Sequence, residues 1–139
     1  MSPKYASRDG FDKIFEWDVR GTSALVKDID PKNLAIGKNM QILDFKEVDF
    51  EKFMEFDRKI TSGLERGDYI KEFFSMQGSY NKVVTSSDNE IFGYCNIREC
   101  IDNYLIIGPF YAQNSLAAST VLRAVLESIP NLKNFEILK

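Results

Sequence analysis

The feature that most narrows the choice of fold is a succession of three short runs of strand-forming residues, 82–85, 91–97 and 104–107, joined only by turn formers. Ser86-Ser87-Asp88-Asn89-Glu90 and Asp102-Asn103 are far too short for the crossover that a parallel pair needs, so the three strands must run antiparallel. Directly after them, Leu116, Val121, Leu122, Val125, Leu126 and Ile129 recur at helical spacing over residues 115–129, and Pro130-Asn131 ends the pattern. A helix this apolar has to cover one face of the meander. The expected class is α/β (α+β), a mixed, mostly antiparallel sheet with helices on both faces.

Upstream, Gln41-Ile42-Leu43-Asp44-Phe45 reads as a strand and Asp49 as the N-cap of a helix, with Val48 and Phe53 spaced for a hydrophobic staple. Phe50, Phe53, Met54, Asp57 and Ile60 fall at helical spacing, and Gly63 suits its stop. A second helix is expected over 68–76, with Tyr69, Ile70, Phe73 and Phe74 inward and Gln77-Gly78-Ser79 as its break. Residues 135–138 form a last strand, so the order from Met40 is β-α-α-β-β-β-α-β. Before it, residues 13–20 alternate as a half-buried strand, and residues 27–39, with Asp30-Pro31 and Gly37, read as a linker. The expected division is an arm at 1–39 and a body at 40–139.

Composition removes several functions. A net charge of -3 without a basic block gives no face for a phosphate backbone, so no nucleic acid partner is expected. Neither an N-terminal leader pattern nor a run of about 20 apolar residues is present, and the expected compartment is the cytoplasm, with no membrane contact. Cys95 and Cys100 are expected as reduced thiols. With no histidine in the sequence, one Cys-x4-Cys pair cannot complete a zinc site, and Ser-His or Cys-His catalysis has no base.

The order of elements, with the strings Phe56-Asp57-Arg58-Lys59-Ile60, Arg66 before Tyr69-Ile70, Ile91-Phe92-Gly93-Tyr94 and Ile107-Gly108-Pro109-Phe110-Tyr111-Ala112-Gln113-Asn114, resembles the GNAT acetyltransferases. It is similar in particular to the C-terminal acetyltransferase-like domain of YitH-type tandem GNAT proteins. The resemblance implies a body lacking the usual C-terminal helix and two strands. Tyr5-Ala6-Ser7-Arg8-Asp9-Gly10-Phe11 resembles the string before the sixth GNAT strand, as a remnant of a preceding GNAT domain would.

The same resemblance implies acetyl-CoA as cofactor, with its pyrophosphate on backbone N–H groups at the start of the helix after the fourth GNAT strand. That places Tyr111, Gln113, Asn114, Ser115, Ala117 and Ala118 at the cofactor site. The family pattern Gln/Arg-x-x-Gly-x-Gly/Ala is met here by Gln113-Asn114-Ser115-Leu116-Ala117-Ala118, which lacks the wrapping freedom of glycine. Gly108-Pro109 falls where the fourth GNAT strand bulges toward the acyl-pantetheine arm; read by itself, it ends a strand. Glu90, Glu99 and Asp102 are the nearby acids for a base, Tyr94 and Tyr111 the candidate proton donors and Cys95 a candidate nucleophile, each set against a plain packing or surface role. No catalytic residue is assigned.

Two functions stay open: an acetyl-CoA-dependent N-acetyltransferase of a small amine, or a non-catalytic GNAT-like module for dimerisation or small-ligand binding. The edge of the strand at 135–138 needs a cover, and residues 11–20 of the same chain or of a second copy are the expected ones, the latter as a homodimer with Trp17 buried.

Overall fold

The computed structural model describes residues 20–139. Among these residues, six strands, β1 (Ala24–Leu25), β2 (Gln41–Leu43), β3 (Ser79–Thr85), β4 (Ile91–Cys100), β5 (Tyr104–Ala112) and β6 (Ile137–Leu138), form one sheet in the order β1-β6-β5-β4-β3-β2. Every neighbouring pair is antiparallel except β5–β6, which is parallel. Among the described residues, three α-helices, α1 (Phe50–Ile60), α2 (Gly67–Ser75) and α3 (Ser115–Ser128), cover the two faces. The expected order and antiparallel meander are present.

The hairpin turn is built as its composition requires: Ser86 N–H donates to Glu90 O at 2.8 Å, and Asn89 takes a left-handed φ of 61°. Asp102 and Asn103, with φ of 61° and 57°, turn β4 into β5. Asp49 caps α1 by accepting from Lys52 N–H at 3.1 Å, and Val48 packs against the core cluster that holds Phe53, in keeping with a staple.

Each sheet face has its own core. On one, α3 sets Val121, Val125 and Leu126 against Val84, Cys95, Ile97 and Leu105. On the other, α1 and α2 enclose Phe53, Met54, Ile70 and Phe74 over Val83 and Tyr94. The phenylalanines of this second core meet edge to face, Phe45 with Phe74 at 4.8 Å and with Phe53 at 5.0 Å between centroids, so they are packing residues.

Three expectations change. The strand that opens at Tyr104 does not stop before Gly108-Pro109 but runs to Ala112, because the two residues bulge together opposite Asn96: Cys95 pairs with Phe110 and Ile97 with Ile107. Gly108 has φ of 152°, a backbone that favours glycine. The stretch 27–39 is docked rather than free, since Gly37 N–H donates to the buried Thr120 Oγ1 at 2.9 Å, Arg123 reaches Leu34 O at 3.1 Å and Lys133 reaches Lys27 O at 3.2 Å. The β6 edge is closed within the chain by β1, with Ala24 opposite Leu138 and Leu25 opposite Ile137. The strand expected at 13–20, and with it Trp17 and the string at 5–11, lies outside the described residues apart from Arg20.

Candidate active site

The site grows from the end of β5 into the start of α3. Gln113 N–H donates to Phe92 O at 2.8 Å, and its side-chain Nε2 donates to Ile91 O at 3.2 Å, so the loop is fastened to β4. Bonded and non-bonded pairs alternate in an antiparallel ladder; the Tyr94–Tyr111 pair is therefore bonded, and the N–H and C=O groups of Phe110 and Ala112 point to the opposite edge of β5. Pairing with β6 runs only to Ile107, whose N–H donates to Lys139 O at 2.7 Å; beyond the bulge no described strand takes this edge. The Asn96 Nδ2 donates to Gly108 O at 3.2 Å and the Asn96 Oδ1 accepts from Ser79 Oγ at 2.6 Å, which ties down the bulge from a fully buried position. Gly93 allows β5 to lie close: a Cβ there would stand 2.8 Å from Tyr111 O.

At the start of α3, Asn114 is the N-cap, its Oδ1 accepting from Ala117 N–H at 2.9 Å, while Ala118 N–H donates to Asn114 O at 3.0 Å. The open donors are the N–H groups of the first two helical residues, Ser115 and Leu116, which have no intrahelical acceptor. Of the residues expected at this site, then, Ser115 offers a donor, Gln113 and Asn114 hold the turn, and Ala117 and Ala118 have their donors occupied. Leu116, at the place of the pattern's first glycine and 43% exposed, was not singled out by sequence reasoning. Counting which N–H groups a cap leaves open would have found it.

A second group of residues stands on the α1/α2 face beside this edge. Asp57 of α1 is fully buried. The Arg66 guanidinium donates to both of its oxygens, Nε to Oδ2 at 2.8 Å and Nη2 to Oδ1 at 2.6 Å, and also to the Tyr94 hydroxyl at 2.8 Å; Tyr94 in turn donates to Asp57 Oδ1. Burial pushes the Asp57 carboxyl up, but the hydrogen bonds from Arg66 and Tyr94 outweigh it and hold the group below its ordinary range. Burial and the Asp57 bond push the Tyr94 hydroxyl up, so it stays protonated. The same guanidinium lies 5.6 Å from the ring centroid of Tyr111, which meets Tyr94 edge to face at 5.7 Å and remains 36% exposed. The sequence signal for this cluster was a carboxylate on the apolar stripe of α1, which no buried helix face accepts without a partner.

The remaining candidates separate by position. Glu90 sits in the β3–β4 turn and shares with Gln113, Phe56 and Lys59 a cleft of about 410 Å³. Glu99 and Asp102 are at the other end of β4, away from the start of α3. Glu99 accepts from the Tyr80 hydroxyl at 2.6 Å, a bond that together with burial raises the Tyr80 pKa to about 12. Cys95 is buried in the α3-side core, and burial pushes its thiol up, so it packs rather than attacks. Among the described residues, no three Cys, Asp or Glu side chains converge to hold a metal ion, and no helix is long and apolar enough to cross a membrane.

Comparison with known proteins agrees with this fold. The profile of the acetyltransferase (GNAT) domain matches residues 53–135. The holothin acyltransferase of Pseudoalteromonas sp. (strain SANK 73390) is 31% identical over 80 residues, which are 58% of this chain and 26% of that protein, so the chain spans about a quarter of its length. A crystal structure of a GNAT-family acetyltransferase from Staphylococcus aureus MU50 superposes with a TM-score of 0.55 at 13% identity, over 68% of this chain and 66% of that one. That likeness is one of fold.

Proposed function

Since this chain belongs to the GNAT acetyltransferase family, with the domain match covering more than half of it, we propose that it is an acetyl-CoA-dependent N-acetyltransferase acting on a small amine. One observation carries the reading: beyond the bulge at Gly108-Pro109, the outward backbone groups of Phe110 and Ala112 lead directly to the open N–H groups of Ser115 and Leu116. A strand edge that no described residue pairs suits the amide groups of a pantetheine arm, and a helix start suits a pyrophosphate, since its donors and dipole both favour an anion. The residues present thus fit acetyl-CoA, which would supply the acyl group as an activated thioester. The chain's part is to align that arm along β5 and to hold the amine on the Tyr111 face, so that the reacting atoms meet in one orientation. Glu90 is the candidate carboxylate nearest in the fold to the Gln113 turn for accepting the amine's proton.

A second reading, a GNAT-like module that binds a ligand or a second copy without catalysis, is favoured by Leu116 in place of glycine and by the Asn114 side chain on the Ala117 donor, which together leave a narrow anion seat. Calorimetry with acetyl-CoA, with amide spectra recorded alongside, separates the two. The enzyme reading expects a Kd at or below about 1 mM, with the largest shifts at Phe110, Ala112, Ser115 and Leu116. No heat at high concentration, or shifts confined elsewhere, refutes it.

A further inference from the structure

Arg66 joins a fully buried anchor, Asp57 and the Tyr94 hydroxyl, to the exposed Tyr111 ring, which otherwise meets that anchor through the edge of the Tyr94 ring at 5.7 Å. On the buried side its guanidinium is fixed in three bonds, two to Asp57 and one to Tyr94, from α1 and β4. On the other side the same planar group faces the Tyr111 ring, on the strand whose outer backbone edge is the proposed seat of the acyl arm. Arg66 itself is the N-cap position of α2, yet its side chain makes no capping bond and is directed wholly into this cluster. A buried ion pair of this kind contributes little net stability compared with apolar residues of the same volume, so its geometry, more than its energy, is what the fold retains. A guanidinium is suited to the task because it is planar, always charged and can stack while bonding in its own plane, which an ammonium cannot do.

We infer that Arg66 is a positioning residue: held by Asp57 and Tyr94, it sets the Tyr111 ring and hydroxyl as the wall against which the acceptor amine is placed. This rests on the acyl-transfer reading above for its purpose, but the positioning itself is a property of the free protein. The side chain of Arg66 is 17% exposed, so it acts from beneath Tyr111 without competing for the acceptor. Among the described residues, Tyr111, 36% exposed and beside the bulge, meets the Arg66 guanidinium over its ring and Tyr94 at its edge. Its place therefore depends on the Asp57–Arg66–Tyr94 cluster and would be felt by an amine as orientation rather than as affinity for the cofactor.

The test uses the full chain with ring-labelled tyrosine, and Tyr111→Ala to assign the Tyr111 signal. Arg66→Lys keeps the charge and the pairing to Asp57 but removes the planar guanidinium beside the ring; the Tyr111 ring signal should move toward that of a free tyrosine, with acetyl-CoA affinity changed less than about twofold. Tyr94→Phe, which removes one of the three anchors and keeps the ring, should move it part of the way and serves if Arg66→Lys does not fold. An unmoved Tyr111 signal in the folded variants overturns the inference. With acetyl-CoA and benzylamine as the probe acceptor, Arg66→Lys should lower kcat roughly tenfold or more, the scale of loss from misplaced reacting groups, and should have little further effect in a Tyr111→Ala background. Equal losses in both backgrounds would show that Arg66 acts through the fold alone. Absence of acetyl-CoA binding by the unmodified chain would instead refute the acyl-transfer reading, and the ring signal would still decide the positioning.

Discussion

Replacing Asp57 by alanine should be among the most costly single changes in this chain. The carboxylate is fully buried and accepts two bonds from Arg66 and one from Tyr94. Removing one member of a buried ion pair costs about 3–5 kcal/mol, because the partner's charge is left without compensation. Two features of the site adjust that range. Arg66 retains 17% exposure and can turn toward water, which favours the lower end; the Tyr94 hydroxyl, fully buried, loses its acceptor, which adds about 1 kcal/mol. The expected loss at pH 7 is therefore about 3–4 kcal/mol, against a total of about 5–15 kcal/mol for an ordinary domain. The carboxyl is held below its ordinary value of 3.8, so its contribution is present in full above that pH and is lost as pH falls through the depressed folded value. Urea unfolding of both proteins at pH 7 and in steps below pH 4, with unchanged m-values, measures the difference. It should be largest at neutral pH and narrow in acid. A loss under about 1 kcal/mol at pH 7, or a difference that does not narrow in acid, would refute the account of the cluster as a charged, paired one.

Thr120→Val should cost about 1–3 kcal/mol and speed hydrogen exchange at Gly37, since the buried hydroxyl accepts from Gly37 N–H while donating to Leu116 O; unchanged exchange at Gly37 would mean that the 27–39 stretch is not held there. Of the two free cysteines, Cys100 should react with a disulfide reagent in the native state while Cys95 waits for unfolding, so two equally fast equivalents would contradict the buried, raised thiol. Leu116→Gly should tighten acetyl-CoA binding several-fold by removing a side chain from the open N–H groups at the start of α3; weaker binding in a folded variant would place the anion elsewhere.

Local sequence determined the elements and their order. Turn formers at 86–90 and 102–103 force a meander whatever surrounds them, since a two- to five-residue connection can only reverse the chain, and the apolar spacing of 115–129 can only be a helix laid on a face. The start of α3 was legible for the same reason: a helix's first turn and the donors it leaves open are set within four residues. Strand ends were less legible. Gly108-Pro109 reads locally as a stop, and only the partner strand, with Asn96 bonded to the Gly108 carbonyl, turns it into a bulge inside a longer strand. The stretch 27–39 reads as a linker because its contacts, to Thr120, Arg123 and Lys133, come from residues about 80–110 positions away and leave no periodicity in its own sequence. The Asp57–Arg66–Tyr94 cluster stands between these cases. A carboxylate on an apolar helix stripe states that a cation must be near, but which cation, and that its other face would meet Tyr111, depends on how α1, α2, β4 and β5 come together. Charge pairing acts through space, and the distances that decide it exist only once the chain has closed on itself.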